Sequence, residues 1–590
     1  MTIAQHQQRS RQSTIIVFVL LALAASRFIM GEFLRYYFIS SAGYDDQLLL
    51  TYSHIKNHFR NPDYLSLVKT MSFPLFLNLI DKLHISFSQA ISLVWIAAAF
   101  LFYRLIQYLF RNRVFSCIAF AYILFHPVAY SAAAGLRIYR NTLIAPFVMM
   151  AFCELLMLFF HLINEDERFR VQILRSVIFS ILLLFTYFLK EDGVWISACT
   201  CFFILLLLLV IIVRSCKKQT MKKRALSAAV CAVLPLVIFF AGKQAYKAIN
   251  YQYFQVAEIQ TRTEGELGKF VSNAYKIESP KQNYQYTVPA SSIKEMYRVS
   301  PTFQNDPELM NSILHSSLYG GDIEKNPIQG DFLTWVLRSA LIETNTWKSE
   351  KQVSDLFAQI NAEVERAFEN GQLQQNHKIR LLSSAVGRTP KEVTSLFPYV
   401  WESFVDSLTL KNYSVEISGA GTTNNAPAAE DAAALTGLPY LIDYSFTETS
   451  SYSHMVQFFN GIIWIYRVLN PALIAFALYS LIVTMRTRHR SAKRNHPDSS
   501  CLHRMIPFTA ICFLGICWMY SFGISWFAQF LMPDPATAYI VFNFYATALI
   551  PLSAIALFLF SGMVFQIRRG TTTGYASGSC RTVADPLNAD

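Results

Sequence analysis

Most of this chain is written in apolar runs of bilayer length, and that property dictates helices. In hydrocarbon every backbone N–H and C=O must be paired inside the protein, so a run of ~20 apolar residues crosses a membrane as a helix. The sequence reads as about ten such spans, at roughly 14–34, 86–110, 114–131, 142–163, 172–189, 194–213, 225–245, 456–485, 505–527 and 539–566. Composition agrees. Of 590 residues, 53% are hydrophobic and 15% charged, against about 25% charged in soluble domains. The expected fold class is an α-helical polytopic membrane protein. The first run ends in LALAAS, with small residues of the kind found at signal-peptide cleavage sites. It continues apolar through Phe28, Ile29 and Met30 and is read as a retained anchor.

Lys and Arg in short loops set orientation. Arg9 and Arg11 precede the first span. Arg111 and Arg113, then RSCKKQTMKKR (214–224), then RTRHRSAKR from Arg486, then Arg568 and Arg569 occupy alternate loops. With ten spans all fall on one side, the cytoplasm of a plasma or inner membrane, and both termini lie there. The net charge of +12 is then a topology signal, and a nucleic-acid partner is not indicated. The ten cysteines avoid 246–457, so a disulfide-built exterior domain is not expected.

The chain divides into a transmembrane core (1–245) whose first outer loop is 35–85, a mostly helical extracytoplasmic domain (246–457), C-terminal transmembrane helices (458–570) and a disordered cytoplasmic tail (571–590). Within the insertion, Ser349 with Gln352 reads as a capping box. Thr389-Pro390 opens a second helix, PKEVTSLFPYVWESFVDSL, with proline at the favoured first position. ISGAGTTNNAPAAEDAAALTG (417–437) reads as a flexible low-complexity stretch. No catalytic motif stands out in the insertion, which reads as a packed helical cap or an acceptor-recognition element.

Chemistry concentrates in three outer segments that share one membrane face. GYDDQLLL places Asp45 beside Asp46, and KTMSFPLF follows with Lys69. Two adjacent carboxylates repel, which raises one pKa unless a cation or metal is near, and a base that takes a hydroxyl proton needs such tuning. Taken alone, an Asp pair is more often a solvated helix start at Gln47. GLRIYRN supplies Arg137 and Arg140, which with Lys69 suit a phosphate. At an effective dielectric near 20, each close ion pair is worth on the order of 4 kcal/mol. Headgroup contact is the plain alternative. KEDG confines Lys190, Glu191 and Asp192 to a tight turn beside the bilayer, where ionised groups are costly. Arg467, one helix length back from Arg486, is level with these charges and is a further phosphate candidate. Glu154 reads as a structural partner to a neighbouring helix, and His126 as a span-end residue.

These elements resemble the GT-C superfamily of membrane glycosyltransferases, which includes the protein O-mannosyltransferases and the aminoarabinose transferases of lipid A. YDDQLLL is similar to the acidic pair of their first outer loop. KTMSFPLF is similar to the lysine-and-proline element later in that loop, with Lys69 and Pro74 matching and a first proline missing. FLKEDG is similar to a Lys-Gly turn between spans five and six, with two acids inserted. The resemblance covers roughly residues 14–245.

It implies an inverting transfer of sugar from a polyprenyl-phosphate donor in the membrane lipid to a glycan, lipid or protein acceptor at the outer face of the cell envelope. Asp45 would be the base and Asp46 its helper. Lys69, Arg137, Arg140, Lys190 and Arg467 would bind the donor phosphate. Glu191 and Asp192 would orient the acceptor or hold a divalent metal. Members differ in metal need, so no cofactor is assigned. Rival classes are a polysaccharide ligase or polymerase, a transporter or flippase of lipid-linked sugar, and a membrane scaffold. The first fits the long insertion but not the paired acids, and the second calls for internal repeats that the sequence does not display.

Overall fold

The computed structural model describes residues 3–39, 45–164, 167–217, 222–382, 384–417, 426–438, 441–442, 450–493, 501–532 and 534–576. Among them, nine helices are long and apolar enough to cross a membrane, and a shorter apolar one accompanies them. In chain order these are α1 (Ile3–Glu32), α2 (Phe87–Phe110), α3 (Arg113–Leu124, the short one), α4 (Asn141–Asn164), α5 (Phe169–Tyr187), α6 (Val194–Lys217), α7 (Lys222–Phe254), α8 (Ser450–Lys493), α9 (Cys501–Ala528) and α10 (Leu549–Ala576). The protein is an α-helical multi-pass membrane protein. Helix α4 and the Leu549–Gln566 part of α10 are almost wholly buried, whereas α1 exposes Phe18, Leu21 and Ile29.

Local signals set the helix ends. Ser86 and Gln89 form a capping box at the start of α2, which satisfies two backbone donors that the first turn leaves unpaired. Arg111, in the left-handed region at φ 49°, ends α2, and Asn112 accepts from Phe115 N to start α3. Two residues thus turn the chain between antiparallel helices.

Two spans are broken where the sequence reads them as continuous, both near prolines. The span expected at 114–131 ends as α-helix at Leu124. A 3₁₀ turn, Pro127–Ala129, follows, capped by His126 Nδ1 accepting from Val128 N at 3.2 Å. The span expected at 539–566 is interrupted. A short helix, Tyr539–Tyr545, stops, and α10 restarts at Leu549, with Pro551 in its first turn, where a missing N–H costs nothing.

The stretch read as one insertion, 246–457, is built in parts. Its first residues finish α7, which runs to Phe254. Residues between Leu267 and Leu373 form a hydrophobic core of their own. Later residues return to the bundle: Leu396 and Val400 pack on Trp526 of α9, and Tyr399, Leu410 and Tyr413 join the main core. The single helix expected after Thr389 is two helices, Pro390–Thr394 and Phe397–Thr409. Pro398 divides them. In one continuous helix its ring would meet the carbonyl four residues back, whereas in the first turn of a new helix it is harmless. At Ser349 the hydroxyl accepts from Gln352 N as an ordinary cap, while Thr389 and Glu392 make the full reciprocal box.

The flexible stretch expected at 417–437 contains a helix, Ala426–Thr436, packed on Ser72–Lys82 and tied by Asp431 to His54 at 2.9 Å. Its alanines explain this: a strip of Ala428 and Ala432 buries against the core. Residues 418–425, and 577–590 of the expected disordered tail, lie outside the described residues.

The body centred on 267–373 docks on the first loop through helix Leu333–Glu343. Arg338 donates to Tyr64 O at 2.7 Å and forks onto Glu350 at 2.5 and 3.0 Å, all but fully buried. Thr261 N donates to Leu67 O at 2.7 Å. At Gly330 (φ 50°) a Cβ would strike the Phe530 ring, so the loop after α9 closes tightly on this body. Removing one partner of a buried pair leaves the other charge stranded, a loss of about 3–5 kcal/mol. Arg338→Met is therefore expected to lower the Tm of the purified protein and to open the 246–390 region to limited proteolysis, whereas Lys351→Met, which touches only an exposed pair with Asp355, should do neither.

Candidate functional site

Three short segments meet at one end of the bundle because backbone hydrogen bonds tie them. Tyr37 N donates to Leu136 O, and Ile138 N to Tyr37 O, each at 2.9 Å, so the strand Tyr36–Tyr37 lies beside the loop after α3. On its other edge it pairs in parallel with Leu441–Ile442. Ser72 N reaches Phe188 O at 3.3 Å, joining the end of the first loop to the turn after α5. In that turn Gly193 approaches the Tyr187 carbonyl so closely that any Cβ would collide with it, which accounts for glycine at the end of KEDG.

The Asp pair opens a helix, Asp45–Ser53, where carboxylates are favoured by the partial positive charge of the N-terminus. The two acids are separated by partner. Asp46, with no exposed side-chain surface, takes a bidentate pair from Arg137, with Nε at 2.8 Å and Nη2 on the second oxygen. Burial pushes the Asp46 carboxyl up, against the pull of Arg137. Asp45 keeps 26% side-chain exposure. Its Oδ2 receives Lys69 Nζ at 2.6 Å and Tyr139 Oη at 3.1 Å, with Arg140 Nη2 at 3.6 Å. None of these contacts uses Oδ1. Burial alone would raise Asp45, but Lys69, Arg140 and Arg262 together hold its carboxyl well below the usual range. The mutual repulsion expected of the pair is thus overridden: each acid has its own cation.

Arg140 Nη1 donates to both Glu191 carboxylate oxygens, at 2.6 and 2.7 Å, and Nε donates to Tyr139 Oη at 2.9 Å. A relay therefore runs from Arg140 through the Tyr139 hydroxyl to Asp45. Glu191 is raised by burial but pulled down to about 2 by Arg140, Lys69 and Arg262. Lys190 differs from the other cations. Its buried Nζ has no hydrogen-bond acceptor among the described residues. It sits 3.7 Å from Asp192 and over the Tyr545 ring at 5.4 Å, and burial pushes its ammonium pKa down. Asp192 is the most exposed of these acids, at 36%.

Several contributors were not apparent in the sequence. Tyr139 sits between the two arginines of RIYR and stacks on Phe544 at 5.5 Å. Arg137 lies against both rings. The body after α7 adds Arg262, paired with Asp331, and Trp335, whose ring faces Lys69 Nζ at 5.3 Å. Nothing local marks Arg262 or Trp335, since only the docking of that body brings them in. For Tyr139 the one local signal on offer was a hydroxyl set between the two arginines of RIYR.

The structure brings together Asp45, Asp46, Lys69, Arg137, Arg140, Lys190, Glu191 and Asp192. It does not bring Arg467 to them: that guanidinium donates to the carbonyls of Leu410 (3.0 Å) and Tyr413 (2.8 Å), tying the helix Phe397–Thr409 and its following turn to α8. Glu154 pairs with Arg175 of α5 at 3.3 Å. As for a metal, no three His, Cys, Asp or Glu converge among the described residues, and Glu191 and Asp46 are taken up by arginines, so the donor set does not fit a divalent ion.

No protein-family model matches this chain, and neither does any curated protein or solved structure.

The Glu191 geometry has a pH consequence. A carboxylate whose folded pKa is depressed contributes stability at pH above its unfolded value and loses it as pH falls through the folded one. For Glu191 the window runs from 4.5 down to about 2, worth on the order of 3 kcal/mol. Glu191→Gln is expected to lower Tm at pH 7 and to show a shallower further fall between pH 4.5 and 3 than the parent, measured by thermal unfolding across that range.

Proposed function

We propose that the protein is a membrane glycosyltransferase that moves a sugar from a polyprenyl-phosphate donor to a hydroxyl acceptor, with the charged cluster as its active site at the outer face of the cell membrane. One observation carries this reading. In a cluster where nearly every charge is matched, two groups keep capacity: the Lys190 ammonium, near Asp192 but with no hydrogen-bond acceptor among the described residues, and Oδ1 of the partly exposed Asp45, which none of its contacts with Lys69, Tyr139 and Arg140 uses. An anion and a hydroxyl are the ligands that complete them.

In the reaction the acceptor oxygen attacks the anomeric carbon, and a new C–O bond forms as the bond to the donor phosphate oxygen breaks with its electron pair. The acceptor proton passes to Asp45 Oδ1. Lys190, Lys69 and Arg140 stabilise the charge that develops on the departing phosphate, and stabilisation of this kind commonly lowers the barrier more than any other effect in such sites. Asp45 in its resting pairing is too weak a base. A phosphate arriving at Lys69 and Arg140 offsets their pull on Asp45 and raises its pKa toward a useful value. Asp46 holds Arg137 and so fixes the loop that carries Tyr139 and Arg140. Arg467 has no part in this scheme.

The test is release of polyprenyl phosphate by the purified protein from a panel of polyprenyl-phosphate sugars, scored with cell-envelope acceptors. Asp45→Asn is expected to lower turnover by about 10²-fold or more. Lys190→Met should raise the KM for donor, each variant retaining the parent Tm within a few degrees. Full turnover by a well-folded Asp45→Asn protein would remove Asp45 as the base. Movement of intact donor across vesicles with no new glycosidic bond would replace the reading with transport.

A further inference from the structure

Among the described residues, Arg27 is the least explained charge. It lies in α1, one turn inside the end at Glu32, and its side chain is completely buried. None of its three guanidinium nitrogens meets a hydrogen-bond acceptor among the described residues. The Tyr130 ring lies 4.8 Å from the guanidinium carbon. The Tyr130 hydroxyl is close enough to interact with the guanidinium directly, but outside strict hydrogen-bond geometry. A desolvated cation over a ring gains about 2 kcal/mol, less than the several kcal/mol that burying an ion costs. A guanidinium does not shed its proton to escape.

The atoms around it make the same point. Tyr36 Oη, Tyr130 Oη, Trp95 Nε1 and Ser92 Oγ are also buried with no partner of hydrogen-bond geometry among the described residues. Tyr36 is close enough to sense both Arg27 and Tyr130. Ser92 of α2 faces Gly31, one turn from Arg27, and Trp95, three residues after Ser92, shares its face of α2. Guanidinium and indole N–H groups only donate, and hydroxyls can. A carboxylate presents about four lone-pair sites, fewer than the donors gathered here. A phosphate oxyanion satisfies more of them and suits the guanidinium fork.

We infer that Arg27, with Tyr36, Tyr130, Trp95 and Ser92, forms a second anion site that takes a phosphate group, separate from the Asp45 cluster. Successive strand residues point to opposite faces, so Tyr36 serves this site while Tyr37, its hydroxyl on Ala132 O at 2.8 Å, lies on the side of Arg137. The site is closed to solvent, and α1 is the least buried span. Entry is therefore lateral, by outward movement of α1, which suits the phosphate of a membrane lipid; free phosphate has the same chemistry and is separated by the test.

The experiment measures Tm of the full-length protein in uncharged detergent, with sodium phosphate against sodium chloride at equal ionic strength, and with micelles doped with phosphatidic acid against diacylglycerol. The parent is expected to gain on the order of 5 °C at saturating phosphatidic acid. Arg27→Met should lose that gain and, without ligand, melt at or above the parent, because an unpaired buried charge has been removed. Tyr130→Phe keeps the ring and should show a several-fold weaker response, which serves if Arg27→Met does not fold. Lys69→Met should retain the Arg27-dependent gain, so the outcome does not depend on the glycosyltransferase reading. Response to phosphatidic acid alone assigns a lipid source, and equal response to sodium phosphate a soluble one. No response in the parent, or an Arg27→Met protein that responds as the parent does, overturns the site.

Discussion

Asp46 and Arg137 meet as a buried bidentate pair, and the arrangement of charge at this end of the bundle depends on it. A carboxylate and a guanidinium can both stay ionised in such a place only if each satisfies the other. That requirement joins residues far apart in the chain: the start of the first-loop helix and the loop after α3. Backbone bonds between Tyr37 and the flanking residues of Arg137 hold the same two segments in register. With Arg137 anchored, Tyr139 and Arg140 are delivered to Asp45 and Glu191.

Charge neutrality then shapes what the cluster can do. Lys69, Arg137, Arg140, Lys190 and Arg262 face Asp45, Asp46, Glu191, Asp192 and Asp331. A cluster so balanced is not a bare basic patch waiting for phosphate. An incoming anion has to take cations from carboxylates, and the carboxylate released becomes more basic as it does so. In the proposed reaction that couples donor binding to activation of Asp45. The segment after α7, from Arg262 through the body between Leu267 and Leu373, also takes part. It supplies Arg262 and Trp335 to the wall over Lys69, so it is more than a cap over the bundle.

Much of this was legible in the residues themselves. The apolar runs locate the membrane helices, and the errors came at Pro127, Pro398 and Pro551, where a missing donor or a crowded neighbour outweighed hydropathy. The short loops pointed to Asp45, Asp46, Lys69, Arg137, Arg140 and Lys190 because charge confined between apolar helices has few other uses. Arg467 looked equivalent by depth, but depth along a helix does not tell which way a side chain turns, and its partners prove to be carbonyls. Arg27 passed unnoticed inside an apolar run, since one cation barely lowers the hydropathy of a span.

The sequence by itself determined the class of molecule and the segments in which ionised groups had to be housed, because the energetics of burying backbone and charge in hydrocarbon depend on composition along the chain. Only the tertiary structure decided the pairing. Which carboxylate meets which cation, which oxygen of Asp45 stays open, and which buried cations lack an acceptor all depend on contacts between segments hundreds of residues apart. Electrostatic energies at those short distances change steeply with position, and no local pattern encodes them.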